Sequence, residues 1–278
     1  MKHSDPYTLL YEDKFLLAVD KSSGIAVTAD RWDESKERLD KLLNSFIARE
    51  IEKDPEAGQK RFPFPHRVFI VHRIDRDTSG IVLFTKDQES HRELSKAFEG
   101  HRIKKSYIAV VHGRPSWKET ACDLPLVADG DKKHRTIIDK YQGKKAITNF
   151  RYLGGAGNYS IIEALPETGR THQIRVHLAS LGHPIVCDPL YGTSSKGVYL
   201  SSFKRGWRGD PIDERPLLSR MGLHAARIGL PALSIKTDAA EETIPPLNLH
   251  ASLPKDMAAL AKQMEKSGSA ITGIEDLL

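Results

Sequence analysis

Hydrophobic positions in this chain come in short runs and helical stripes. The segment TLLYEDKFLLAVDKSSGIAV (8–27) reads as two short strands joined by turn residues from Asp20 to Gly24. DESKERLDKLLNSFIAREIEK (33–53) puts Leu39, Leu42, Leu43, Phe46, Ile47 and Ile51 at helical spacing, with mixed charge on the opposite face. DPEAGQKRFPFPHR (54–67), broken by three prolines, reads as a loop. Residues 68–71 and 81–84 read as two buried strands, and 87–100 as a helix closed by Gly100. SYIAVVHG (106–113) and YSIIEALP (159–166) are strands, THQIRVHLASLG (171–182) is a helix, and GLHAARIGL (222–230) is a further short element. Between them, 113–148 alternates turn signals with short β-like runs and predicts a projecting hairpin region, while GGAGN (154–158) reads as a lone glycine turn. LPKDMAALAKQMEKSG (253–268) is an amphipathic terminal helix. Strands and helices mix without regular βαβ alternation, which predicts an α+β fold.

The bulk numbers narrow this only a little. The 278 residues suffice for one large domain or two modest ones, and a net charge of +5 is compatible with a nucleic-acid partner without requiring one. Two cysteines, Cys122 and Cys187, are too few for a disulfide framework or a four-ligand zinc site and read as reduced thiols. The N-terminus has no apolar signal region and no apolar run approaches a membrane span of about 18 residues, so the expectation is a cytoplasmic protein without a membrane partner.

Two stretches are dense with candidate chemistry. VHRIDRDTSGIVLFT (71–85) sets His72, Arg73, Asp75, Arg76 and Asp77 between the two predicted core strands. RDTSG is turn chemistry, so Asp77 reads as a turn former. Asp75 directly follows an apolar residue at a predicted strand end, where a scaffold can fix a carboxylate with one side open; its rival reading is a structural ion pair with a nearby arginine. In ETGRTHQIRVHLASLGHPIVCDPLYG (167–192), Thr171 can cap the helix, Gly182 can end it, and Ile174, Leu178 and Leu181 share its buried stripe. His172 and Arg175, three apart, project together near its start, into a cleft or onto a solvated face. The spacing of His172, His177, His183 and Cys187 does not set up a metal site, and no glycine-rich phosphate loop is present.

HRIDRDTSG closely resembles the first motif of the RluA-type pseudouridine synthases, KSYIAVVHG (105–113) their second, TGRTHQIRVHLASLGHPIVCDPLYG (168–192) their third, and GLHAARIGL a fourth. Order and spacing agree over residues 7–255. Ile74 stands where leucine is usual, and Cys187 where glycine is common. The resemblance implies an RNA uridine isomerase that breaks the N-glycosidic bond and rejoins base C5 to ribose C1′, with no cofactor and no metal. It implies that Asp75 is the essential ionised carboxylate, acting either at ribose or by proton abstraction. Arg175 would be its basic partner, and Tyr107 would stack on the uracil and is a candidate for removing the C5 proton. The target must leave its stack, and Arg73, two residues before Asp75, resembles the arginine that fills the vacated space. Arg170 and His172 would line the pocket or touch phosphate. The basic run DKKHRTIIDKYQGKK (131–145), with Lys132, Lys133, Arg135, Lys144 and Lys145, suits phosphate contacts.

The implied architecture is one catalytic domain with a mixed, largely antiparallel central sheet, flanking helices and loops, and a central active-site cleft. Insertions would fall at 30–66 and 113–148, the C-terminal helix at 254–267, and no separate N-terminal RNA-binding module would precede the core. The expected partner is RNA, either tRNA or large-subunit rRNA, and the expected state a monomer. A non-catalytic RNA-binding module of the same shape, or a metal-dependent nuclease built from the histidines, are the alternatives; intact Asp75, Tyr107 and Arg175 weigh against the former.

Overall fold

Leu16, Leu17, Ala18 and Val19 are all fully buried, so the Leu16–Lys21 strand is covered on both faces, as a continuous apolar run demands. It anchors the first of two compact units in a computed structural model that describes residues 5–29, 37–193, 196–236 and 241–278. This unit comprises the chain up to Lys104 together with Arg227–Ala251. Tyr7–Glu12 pairs antiparallel with Leu16–Lys21, which pairs with Ser79–Thr85, all seven of whose residues are buried. The hairpin turn lies at 13–15, where Asp13 Oδ1 accepts from the Phe15 and Leu16 N–H groups. The Asp20–Gly24 turn expected between the two strands instead follows the second one. An aspartate placed to bond nearby backbone N–H groups was the missed signal.

The prolines of 54–67 mark a helix start rather than a loop throughout. Asp54 accepts from Ala57 N, Pro55 occupies the first turn, and the helix runs Pro55–Arg61 after the Leu39–Lys53 helix. Arg61 holds it in place, forking onto Glu12 at 2.6 and 2.7 Å and reaching Glu50 at 2.8 Å. The upstream part of the predicted first helix, 33–36, lies outside the described residues. The Gln88–Glu99 helix starts where Asp87 caps Ser90 N and buries Ser90, Leu94 and Ala97. Leu94 joins Leu16, Ala18, Ile81, Leu83 and Ile228 in the unit's core.

The second unit comprises Lys105–Ala226 and Ser252–Leu278. Its ladder runs Lys104–His112, Tyr159–Pro166, Thr148–Ala156, Glu119–Cys122, every pairing antiparallel. Side-chain alternation along Lys104–His112 divides two cores. Ile108 and Val110 pack with Met257, Leu260 and Met264 of the Lys255–Ser267 helix. Ala109, Val111 and Tyr107 pack with Ile174 and Leu178 of the Gln173–Ser180 helix. The Thr148–Ala156 strand was hidden in the sequence by its glycines. A Cβ on Gly154 would lie 2.5 Å from Ala270 O, so the close approach of the C-terminal segment requires glycine there. The α+β class is as expected, with antiparallel ladders flanked by helices. Among the described residues no helix is long and apolar enough to cross a membrane, and Cys122 and Cys187 are both free and buried.

Candidate active site

In the first unit, the strand expected over 68–71 shrinks to Phe69–Ile70, paired with Thr85 and Phe84. The reason is His72. Leu83, the next ladder position, donates its N–H to His72 Nε2 at 2.9 Å, so a side chain replaces the backbone partner and the main chain leaves the sheet. The His72 ring stacks on Phe98 at 4.7 Å between centroids. His72 is thus a wedge that releases the segment carrying the charged residues. His72→Phe would keep the stacking surface and orphan the Leu83 N–H. We expect a loss of about 1–3 kcal/mol in urea unfolding; unchanged stability would show that the ring's acceptor is dispensable.

Beyond the wedge, Arg73 is exposed, Ile74 buried and Asp75 half-buried, the alternation of an extended segment that sends Arg73 and Asp75 to one side. The turn that follows is pinned from outside. Thr78 N donates to Asp75 O at 3.1 Å, and Arg76 O accepts from Gly24 N at 2.8 Å and from Lys21 Nζ at 3.0 Å. Lys21 is fully buried, and its ammonium also reaches Ser22 O and Ile25 O, both at 2.8 Å. Asp77 does form part of the turn, but its carboxylate pairs with Arg76 at 3.1 Å rather than with a backbone N–H. Lys21 was not foreseen as part of this arrangement. Its position at a strand end is ordinary, and only the tertiary turn supplies its acceptors.

In the second unit, Tyr107 is half-buried and sits opposite Ala164, on the sheet face covered by the Gln173–Ser180 helix. That helix is buried from Gln173 through Leu178, so the solvated-face reading of Arg175 does not hold. Arg175 is 4% exposed and forks onto Asp188, Nε to Oδ2 at 2.7 Å and Nη2 to Oδ1 at 2.8 Å, with Nη1 outside the fork. Its guanidinium lies 5.1 Å from the Tyr191 ring centre. Burial alone would push the Asp188 carboxyl up, but the Arg175 fork, joined by the Leu190 and Tyr191 N–H groups, outweighs it and holds Asp188 below the ordinary range. Asp188 was missed because the need for a counter-charge appears only once Arg175 is known to be buried.

Thr171, expected to cap this helix, is exposed. The cap position is His172, in the left-handed region at φ 54°. Its Nδ1 lies 2.9 Å from Tyr191 Oη, which also accepts from Thr136 N at 2.8 Å. No side chain caps the helix, and Gln173 instead ties down the chain leading into it: its Oε1 accepts from Arg170 N and Thr168 Oγ1, and its Nε2 donates to Ile147 O and Thr148 Oγ1. Arg170 is exposed, and its Nε donates to Lys145 O at 3.0 Å. Arg135 closes the basic loop on Asp131 and reaches Leu190 O, so it serves the fold; Lys132, Lys133, Lys144 and Lys145 are exposed. His177 is fully buried against Thr148 and Leu124 O, and burial pushes its imidazole below the ordinary value. Among the described residues no group of three or more histidine, cysteine or acidic side chains could hold a metal ion.

Residues 15–180 match the family of RNA pseudouridylate synthases. The ribosomal large subunit pseudouridine synthase D of Zymomonas mobilis is 32% identical over 262 residues, covering 93% of this chain and 73% of that one. An uncharacterized RNA pseudouridine synthase from the same organism is 36% identical over 239 residues, covering 85% and 93%. Among solved structures, human RNA pseudouridylate synthase domain containing 4 superposes with a TM-score of 0.64 at 20% identity, covering 92% of each chain. That likeness concerns the fold. The chain belongs to the RNA pseudouridylate synthase family, in its RluA-type branch. It is accordingly an RNA pseudouridine synthase, an isomerase.

Proposed function

We propose that this synthase isomerises uridine in large-subunit ribosomal RNA, with Asp75 as its catalytic carboxylate. The observation that carries the substrate is the relative in Zymomonas mobilis, named for the large ribosomal subunit and matched over 93% of this chain. The motif resemblance supports the residue roles. Arg175, its charge balanced on one edge by Asp188, is the residue that the motif resemblance matches to the basic partner of the Asp75 carboxylate. Tyr107, at the covered face of its strand, stacks on the uracil. Arg73, exposed and on the same side as Asp75, fills the gap left when the base swings out. Exposed Lys132, Lys133, Lys144 and Lys145 meet phosphates and add affinity rather than sequence preference. We place the reaction in a single cytoplasmic monomer that uses neither cofactor nor metal.

The test is to incubate the purified protein, treated with chelator, with unmodified ribosomal and transfer RNA and map pseudouridine in each. We expect product at one or a few uridines of the large-subunit RNA. Product confined to transfer RNA would overturn the substrate, and activity that disappears with chelation would overturn the metal-free reaction.

A further inference from the structure

We propose that Lys105 binds the phosphodiester next to the target uridine, holding the RNA backbone while the base lies against Tyr107. Lys105 and Tyr107 are two apart on the Lys104–His112 strand and so project from the same face of the sheet. Further along that face, Ala109 and Val111 are covered by the Gln173–Ser180 helix. Lys105 lies at the strand's opening end, and its ammonium turns toward the loop that leads into that helix. A Cβ placed on Gly169 would have Lys105 Nζ, 3.8 Å away, as its nearest neighbour. Gly169 has no side chain, so the space above the loop stays open to a ligand beside the ammonium.

What distinguishes Lys105 is the way this fold treats its other buried lysines. Lys21 donates to three backbone carbonyls, and Lys86 donates to Glu12 and to Asp13 O. Both are satisfied as structural cations should be. Lys105 is half-buried, and no hydrogen bond, carboxylate or other charge among the described residues answers its ammonium. Burial alone pushes it below the ordinary lysine value. A desolvated, unanswered cation beside an open loop matches an anion that arrives with the substrate, and RNA carries one at every nucleotide. The arrangement follows from the chain's own residues, but the identity of the anion rests on the assignment of Tyr107 to the uracil.

The test compares wild type with Lys105→Met and Lys105→Arg on a large-subunit ribosomal RNA transcript, and on synthetic oligomers spanning the modified uridine with one neutral methylphosphonate beside it. Lys105→Met is expected to weaken binding about tenfold and to lower the slope of log affinity against log salt by about one. Its single-turnover rate at saturating RNA should stay within about threefold of wild type, and Lys105→Arg should recover most of the affinity. The methylphosphonate should weaken wild type and leave Lys105→Met unaffected. Additive penalties from the two changes, or an unchanged salt slope, would overturn the inference. So would a lost rate at unchanged affinity, which would place Lys105 at the uracil instead. If wild type modifies no RNA, the functional reading falls, and the salt slope on the transcript still decides whether Lys105 meets phosphate.

Discussion

Asp75→Asn is expected to form pseudouridine at least about 10³-fold more slowly than wild type while binding the same RNA within about threefold. The reaction needs a carboxylate in either proposed form, whether it attacks ribose or removes a proton, and a carboxamide does neither. The substitution keeps the side chain's shape, and much of the turn beside it is held by other groups. The turn after Asp75 is held by the Asp75 carbonyl, by Gly24 N–H and by the buried Lys21 ammonium on Arg76 O. The His72 wedge, with its bond to Leu83 N–H and its stack on Phe98, lies upstream. A loss of rate with an unchanged thermal midpoint therefore reports chemistry. Equal single-turnover rates for wild type and Asp75→Asn on the mapped uridine would remove Asp75 from the mechanism. A lost rate accompanied by a tenfold loss of affinity would make it an RNA contact instead.

How far the sequence could be read depended on whether the controlling interaction was local. The 159–166 strand and the 253–268 helix were legible because alternation and helical spacing are written in neighbouring residues, and the structure places them at Tyr159–Pro166 and Lys255–Ser267. The Thr148–Ala156 strand was not, since its glycines look like a turn until the C-terminal segment that crosses them is in place. The Pro55–Arg61 helix is concealed by the prolines of its segment, because proline breaks a helix interior but fits the first turn, where Pro55 stands behind the capping Asp54. The same division runs through the candidate site. Asp75, Tyr107 and Arg175 stand out because they sit in dense motifs. Their supports, Lys21, Gln173, Asp188 and Tyr191, are defined by contacts between segments distant in sequence, and no spacing rule exposes them.

Asp188 offers the sharpest test of that supporting layer. Arg175 and Asp188 are 4% and 0% exposed at the side chain and share two hydrogen bonds near 2.7 Å, so neither charge has water as a substitute partner. Asp188→Leu takes the fork away from a buried guanidinium, and we expect a loss of about 3–5 kcal/mol in urea unfolding. The double variant Arg175→Met with Asp188→Leu removes both charges, and is expected to return to within about 2 kcal/mol of wild type. The residual deficit falls to the Leu190 and Tyr191 N–H groups, which lose their acceptor. Stability would return without activity, because the proposed partner of Asp75 is gone. The pH dependence carries a sign as well. Asp188 is held below the ordinary carboxylate range, so the native state is the weaker proton binder. Its contribution is complete above the unfolded value of about 4 and fades as pH falls through the lower folded value. The gap between wild type and Asp188→Leu should stay constant from about pH 5 to 8 and narrow only in stronger acid. A gap that narrows near pH 7 would implicate a different group. An Asp188→Leu protein as stable as wild type would mean that Arg175 finds another counter-charge, and the fork would then be incidental to the site.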